Sequence, residues 1–308
     1  MSFSKTKDRV WVAYNLFAGW LARQPMPVRR VGYGFFGLAL WIAYLLPGNM
    51  VRPTFVALSR NVNDQDTRRL FANFARGFCR GMNRMEQVRH GRTVAIDAML
   101  HIPEERRLEE ILERGGGVLV IPHTHASLAM GRGLARRYPL LALVRSGGDA
   151  RRASSELEIY RNLGCEFLDI RVEKPTIVAR KVLSALKDGR LVVGTVDRIT
   201  NAPPSQEPIN SASDTVRASA FGQPIGITGW PARFALKAGV PIIPATVVQT
   251  KDTISLCLGA SIEPREDLLE TTQQWLCELE RLIRAHPEEW TFALDKHWSR
   301  AVRAKDIG

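Results

Sequence analysis

From residue 117 onward, short apolar runs alternate with helix-length amphipathic segments, and few folds accommodate that order. GVLVIP, LLALV, LVVGTV, PIIPATVV and TISLCLGA are strand-length runs. Between them lie SLAMGRGLARRY, ARRASSELEIYRNLG, PTIVARKVLSALKDG and PARFALKAG, and EDLLETTQQWLCELERLIRAHP closes the series as an amphipathic helix. Near-continuous apolar strands separated by helices bury both faces of a sheet, so the pattern predicts an α/β fold. Its central sheet is expected to be mainly parallel and flanked by helices. With 308 residues and 45% hydrophobic content, the chain can bury such a core.

Upstream, VGYGFFGLALWIAYLL is uncharged from residue 31 to residue 46 and follows Arg29 and Arg30. As a helix it spans about 24 Å, short of the ~30 Å hydrocarbon core, and Pro47 and Gly48 should end it. Trp11, Trp20, Tyr33, Trp41 and Tyr44 supply interfacial aromatics, and Lys5, Lys7, Arg9 and Arg23 add positive charge. The segment therefore reads as a membrane-associated helix, spanning or lying in the interface, with a buried helix as the alternative. No cleavable secretion signal is evident. Residues 1–62 form a basic and apolar anchoring segment in this reading, and residues 63–308 an α/β domain. That domain includes a helical arm, 63–114, in which Leu70, Phe71, Phe74, Phe78, Met82 and Met85 recur at helical spacing.

Lys and Arg total 43 against 31 Asp and Glu, a net charge of +12. Such an excess suits an anionic membrane surface or an acidic carrier protein. It also permits nucleic acid, but no nucleic-acid-binding module is recognisable, and a nucleic-acid partner is not expected. Cys79, Cys165, Cys257 and Cys277 lie far apart, which fits reduced, buried thiols rather than a disulfide framework or a zinc site. The stretch RITNAPPSQEPINSASD, residues 198 to 214, reads as a mobile loop.

In sheets of this kind, active groups collect beyond the carboxyl ends of the strands. His123 and His125 follow the first strand, Arg145 follows LLALV, and Asp197 with Arg198 follows LVVGTV. Three strand ends thus bring base, carboxylate and cation candidates to one edge. No third ligand is spaced to make the two histidines a metal site.

These blocks, in this order, resemble the lipid A late (lauroyl/myristoyl) acyltransferases of the lysophospholipid acyltransferase superfamily over roughly residues 30 to 300. GVLVIPHTHASLAMG stands where the family has its H-x-x-x-x-D/E motif. LKDGRLVVGTVDR resembles the stretch ending in a Pro-Asp-Gln-like turn, and SAFGQPIGITGWPARFALKAGVPIIP the Phe-Gly, helix and Gly-x-Pro-x-x-Pro block. HPEEWTFALDKHW resembles the terminal segment, with Asp295, Lys296 and His297 where the family has basic residues.

The resemblance implies acyl transfer from a thioester to a lipid or glycolipid hydroxyl or amine. The donor would be carried by acyl carrier protein or coenzyme A, on the cytoplasmic face of a bacterial inner membrane. No metal or dissociable cofactor is implied. His123 aligns with the catalytic base, but the motif acid is degenerate: the position five residues on is Leu128, and counting from His125 gives Met130. Three readings remain open at this point. Asp197, aligned with the family's later aspartate, orients His123 with His125 as helper; or the site transfers a different group, such as an aminoacyl group; or transfer is lost and the scaffold binds lipid or a carrier protein. His125 could equally cap the helix that follows it. Arg145 is a candidate for binding a phosphate of the substrate, Arg198, in place of the family's neutral turn residue, for a substrate contact of open kind, and Phe221 and Gly222 for shaping an acyl channel.

Overall fold

The structure is a computed structural model that describes residues 16–61, 66–147, 150–204 and 215–303. Its centre is strand β2 (Gly117–Ile121), in which every residue is buried. On one side β2 pairs in parallel with β5 (Leu191–Thr195), which pairs with β3 (Leu140–Val144), and β3 with β4 (Glu166–Asp169). On the other side it pairs in parallel with β9 (Ile242–Gln249). Strand β10 (Ile254–Leu258) then returns antiparallel to β9, and the two-residue β1 (Leu100–His101) closes that edge. The sheet is therefore mixed α/β and mainly parallel, as the apolar runs predict, with one antiparallel hairpin. The short turn between β9 and β10 permits that hairpin, since a parallel crossover needs a dozen or more residues.

The two-residue period of the strands sorts the interior into two cores. Val118, Val120, Leu141, Val192 and Ile242 point to one face. Leu119, Ile121, Leu140, Val193 and Ile243 point to the other. The first face is covered by residues of helices α2 (Val51–Asn61), α3 (Thr67–Arg89), α8 (Pro175–Lys187), α9 (Trp230–Ala238), α10 (Leu268–Ala285) and α11 (Lys296–Arg303). The second is covered chiefly by α5 (Glu105–Glu113), α6 (Ser127–Arg137) and α7 (Ala150–Arg161). One short helix, α4 (Val94–Asp97), adds Ile96 to that second core.

Helix α1 (Met26–Leu45) ends just before Pro47 and Gly48, where the apolar run is expected to break. It lies against α3 rather than standing apart: Cys79 Sγ donates to the Tyr33 carbonyl at 3.1 Å, and Tyr44 stacks on Phe71 at 4.3 Å between ring centroids. Its opposite side carries exposed Val31, Phe35, Leu38, Ile42 and Leu45. No helix among the described residues is long and apolar enough to cross a membrane. Trp11 and the basic residues Lys5, Lys7 and Arg9 lie outside the described residues.

A second, three-stranded antiparallel sheet places β8 (Gln223–Thr228) between β6 (Thr200–Asn201) and β7 (Thr215–Ala220). The hairpin turn is Phe221–Gly222, with φ of 50° and 74°. Positive φ at both central residues is the pattern of a type I′ turn, whose twist suits a hairpin. Pro224, opposite Ser219, has no N–H to donate across the ladder. Ser219 and Pro224 form a non-hydrogen-bonded pair, so the backbone of Ser219 faces outward, where the Gln273 side chain accepts from its N–H at 2.8 Å and donates to its carbonyl at 2.9 Å. Residues 205–214, most of the stretch expected to be a mobile loop, lie outside the described residues. All four cysteines are free.

Candidate active site

The loop Pro122–Ala126 joins β2 to α6, and Asp197 follows β5, the strand beside β2. Parallel pairing of neighbouring strands puts both segments at the same sheet edge. There Asp197 faces His123: its Oδ1 lies 2.5 Å from His123 Nδ1. Asp197 Oδ2 accepts the His123 backbone N–H at 2.9 Å and the Trp290 indole N–H at 2.9 Å. The carboxylate is fully buried, so these donors replace the water it has lost. Trp298 donates its indole N–H to the Asp197 carbonyl at 2.5 Å, which fixes the backbone from behind. The His123 carbonyl is held by the Thr291 N–H at 2.9 Å and hydroxyl at 2.8 Å. Phe292 stacks on the imidazole, with centroids 4.0 Å apart and planes inclined by 19°.

An Nδ1–H held by a carboxylate leaves the lone pair on Nε2, so this arrangement selects the tautomer that can accept a proton. His123 keeps 29% of its side-chain surface exposed while Asp197 keeps none. His123 also lines a cavity of about 730 Å³. Apolar Leu128, Ala142, Val144 and Leu163 form part of its wall, and Arg145, Arg171 and Arg198 supply positive charge. Burial, then Arg198 and Arg171, lower the Arg145 pKa from its usual value, so the three guanidiniums share one electrostatic neighbourhood. A group of cations at a cavity suits an anionic portion of a ligand.

The sequence-predicted residues separate into two sets. His123, Asp197, Arg145 and Arg198 come together around the cavity, joined by Arg171, to which the sequence pattern does not point. His125 does not line it. Its ring turns away, packing 4.9 Å from Phe74 and 6.0 Å from Phe78, and Nε2 meets the Glu288 carbonyl at 3.0 Å. Nor does it cap α6, whose N-cap Ala126 has no side-chain hydrogen bond. Gly77 and Gly81 of α3 make room for the histidine loop. A Cβ at Gly77 would lie 2.8 Å from the His125 ring, and one at Gly81 would lie 2.4 Å from the His125 carbonyl.

Phe221 and Gly222 also lie away from the cavity. Phe221 is buried against Trp290 and Trp298, with centroids 5.8 and 5.9 Å away, behind the two indoles that hold Asp197. Arg284 covers its ring at 4.7 Å. They form the hairpin turn rather than a cavity wall. Leu128, at the position where the motif acid is expected, contributes apolar surface to the cavity. Trp290 and Trp298 sit in the EEWTFALDKHW segment, whose pattern alone does not single them out as partners of a buried carboxylate. No group of three His, Cys, Asp or Glu among the described residues is placed to hold a metal ion.

A carboxylate-held imidazole facing a cavity at the strand ends of an α/β sheet is an arrangement that acid–base chemistry can use. The family model of the bacterial lipid A biosynthesis acyltransferases matches residues 55–300, and the chain belongs to that family. It is accordingly an acyltransferase that acts on a lipid acceptor. No curated protein matches the chain significantly.

Proposed function

We propose that His123 is the general base of an acyl transfer from a thioester to a hydroxyl or amine of a lipid or glycolipid. As the acceptor attacks the thioester carbonyl, its proton passes to His123 Nε2 and a tetrahedral oxyanion forms. Collapse of that intermediate breaks the C–S bond, and the imidazolium returns the proton to the departing thiolate. Asp197 keeps Nδ1–H pointed inward and stabilises the transient imidazolium. It thereby takes the part of the acid replaced by Leu128. The carrying observation is the 2.5 Å contact between His123 Nδ1 and Asp197 Oδ1 at the edge of the cavity.

Arg145, Arg171 and Arg198 are suited to a phosphate of the acceptor, or of the pantetheine arm on an acyl carrier protein or coenzyme A. Apolar wall residues such as Leu128 and Leu163 are suited to the acyl chain. The chemistry requires no metal or dissociable cofactor. The exposed stripe on α1, with Leu16, Phe17 and Trp20 beside it, supports placement of the enzyme in the interface of a bacterial inner membrane, on its cytoplasmic face. The test compares purified protein and His123→Ala for transfer from acyl carrier protein to extracted membrane lipids. Turnover is expected to fall by roughly 10²–10⁴-fold. Unchanged turnover would remove His123 from the mechanism. Mass spectrometry of lipids from cells with and without the protein would identify the acceptor and acyl chain.

A further inference from the structure

A second cavity, of about 540 Å³, lies between α1, α3 and α4, and no residue lines both it and the His123 cavity. Its charged lining is cationic: Arg29, Arg30, Arg76, Arg80, Arg84 and Lys251, with no Asp or Glu among the described residues that line it. Arg84 is already committed to Gln249 Oε1 and to the carbonyls of Thr250 and Lys251. Arg76 spends Nε and one terminal nitrogen on the Ala72 carbonyl and Asn73 Oδ1, and Arg29 gives one terminal nitrogen to Asn83 Oδ1. The set as a whole is not saturated. Arg29 Nε and Arg80 Nε are buried without a hydrogen-bond partner, and so is the hydroxyl of Tyr33, which also lines the cavity. Buried donors are seldom left unsatisfied because each forfeits its hydration, so the polar side of this cavity is incompletely satisfied by the protein itself.

The other part of the lining is apolar or small. Gly34, Gly37, Leu38 and Trp41 of α1 run from the cations toward the exposed stripe of Val31, Phe35, Leu38 and Ile42. Charge at one part and an apolar track leading to an unpartnered apolar face match an amphiphile with an anionic head. Helix α1 precedes the segment matched by the family model, so one wall of this cavity is built outside it.

We infer that the cavity between α1, α3 and α4 binds one anionic phospholipid. Its phosphate would accept from Arg29, Arg76 and Arg80, and an acyl chain would lie along Gly34, Leu38 and Trp41. The cationic lining of Arg29, Arg30, Arg76 and Arg80 suits a phosphate, and guanidinium–phosphate bonds are among the stronger polar contacts. The lipid is assigned as a ligand rather than a substrate, and its cavity shares no lining residue with the one that holds His123. The inference does not rest on the role assigned to His123.

The test is native mass spectrometry of the full chain in neutral detergent with phosphatidylglycerol, phosphatidylcholine or glycerol 3-phosphate. One phosphatidylglycerol is expected to be retained, with phosphatidylcholine and glycerol 3-phosphate held much more weakly. Arg29→Ala with Arg80→Ala should reduce retention at least roughly tenfold. Gly34→Gln adds bulk at the cavity lining without a clash at Cβ, because a Cβ at Gly34 meets nothing within 4 Å. It too should lower retention while keeping every arginine. Arg106→Ala with Arg180→Ala removes the same charge from exposed helical positions elsewhere and should change nothing. Equal retention of phosphatidylcholine, or equal losses in the Arg106/Arg180 pair, would overturn the site in favour of non-specific adsorption. Displacement of the lipid by equimolar glycerol 3-phosphate would overturn it in favour of a free-phosphate site. Full retention in Gly34→Gln would place the lipid elsewhere.

Discussion

His123 and His125 are separated by one residue, yet the structure gives them opposite surroundings. His123 is paired with a carboxylate and open to a cavity, a setting in which an imidazole can pick up and release a proton. His125 keeps only a minor exposed edge, is wedged against Phe74, Phe78 and Gly77, and meets a carbonyl. Burial pushes its pKa down to about 3, only partly offset by the Glu288 carbonyl. The difference teaches that partner and solvent access, not residue type or sequence spacing, divide chemistry from scaffolding here. One imidazole is held by a carboxylate at a cavity, and its neighbour is held to stay neutral.

The sharpest way to break the contrast is to change the partner of each. Asp197→Asn retains the size of the side chain but can present an amide N–H to Nδ1, which favours the tautomer with its proton on Nε2. Transfer should fall by roughly 10²–10⁴-fold, while the circular dichroism spectrum stays native. His125→Ala should do the reverse. Loss of ring packing and of the Glu288 contact should cost about 2–4 kcal/mol, read as a lower denaturant midpoint. At a temperature where the variant is folded, its transfer rate should stay within a few-fold of wild type. A hundredfold loss in folded His125→Ala would return His125 to the chemistry.

The sequence exposes the parts of this arrangement that depend on local pattern. The apolar runs at 118–121, 140–144 and 191–195 are strands, and placing His123 and Asp197 after two of them is enough to predict one shared edge. The parts that depend on tertiary packing are not legible. Nothing local in TVRASAFGQPIGIT reveals that its hairpin supports Trp290 and Trp298, which is why Phe221 and Gly222 read from sequence as parts of an acyl channel. A signal is present in the alternation around Phe-Gly, which is a hairpin pattern once the turn is allowed positive φ. Likewise, Gly77 and Gly81 in ARGFCRGMN, four residues apart on α3, mark a close helix approach, but not that His125 is what approaches. Arg171 follows a short strand, EFLD, too polar at its start to stand out as one, so its place beside Arg145 needs the sheet.

A smaller effect sharpens the same comparison through acid–base linkage. Glu289 joins the His125 backbone, accepting its N–H at the carbonyl, and burial raises the Glu289 side-chain pKa to about 7. For His125, a folded pKa below the unfolded 6.5 means the unfolded chain binds more protons, so stability is present above pH 6.5 and lost as pH falls toward 3. For Glu289 the sign is opposite: the folded state binds more protons between 4.5 and about 7, so stability is lost as pH rises across that window. The carboxyl is almost wholly buried, and the shift corresponds to about 3 kcal/mol. Glu289→Gln removes this second slope. It should therefore raise the unfolding free energy at pH 8 by about 2–3 kcal/mol and leave it nearly unchanged at pH 4. His125 continues to titrate in that variant, so its loss of stability below pH 6.5 should persist. If Glu289→Gln instead abolished the acid-side loss and left the alkaline slope, the two groups would have exchanged roles, and the neutral-scaffold account of His125 would fail.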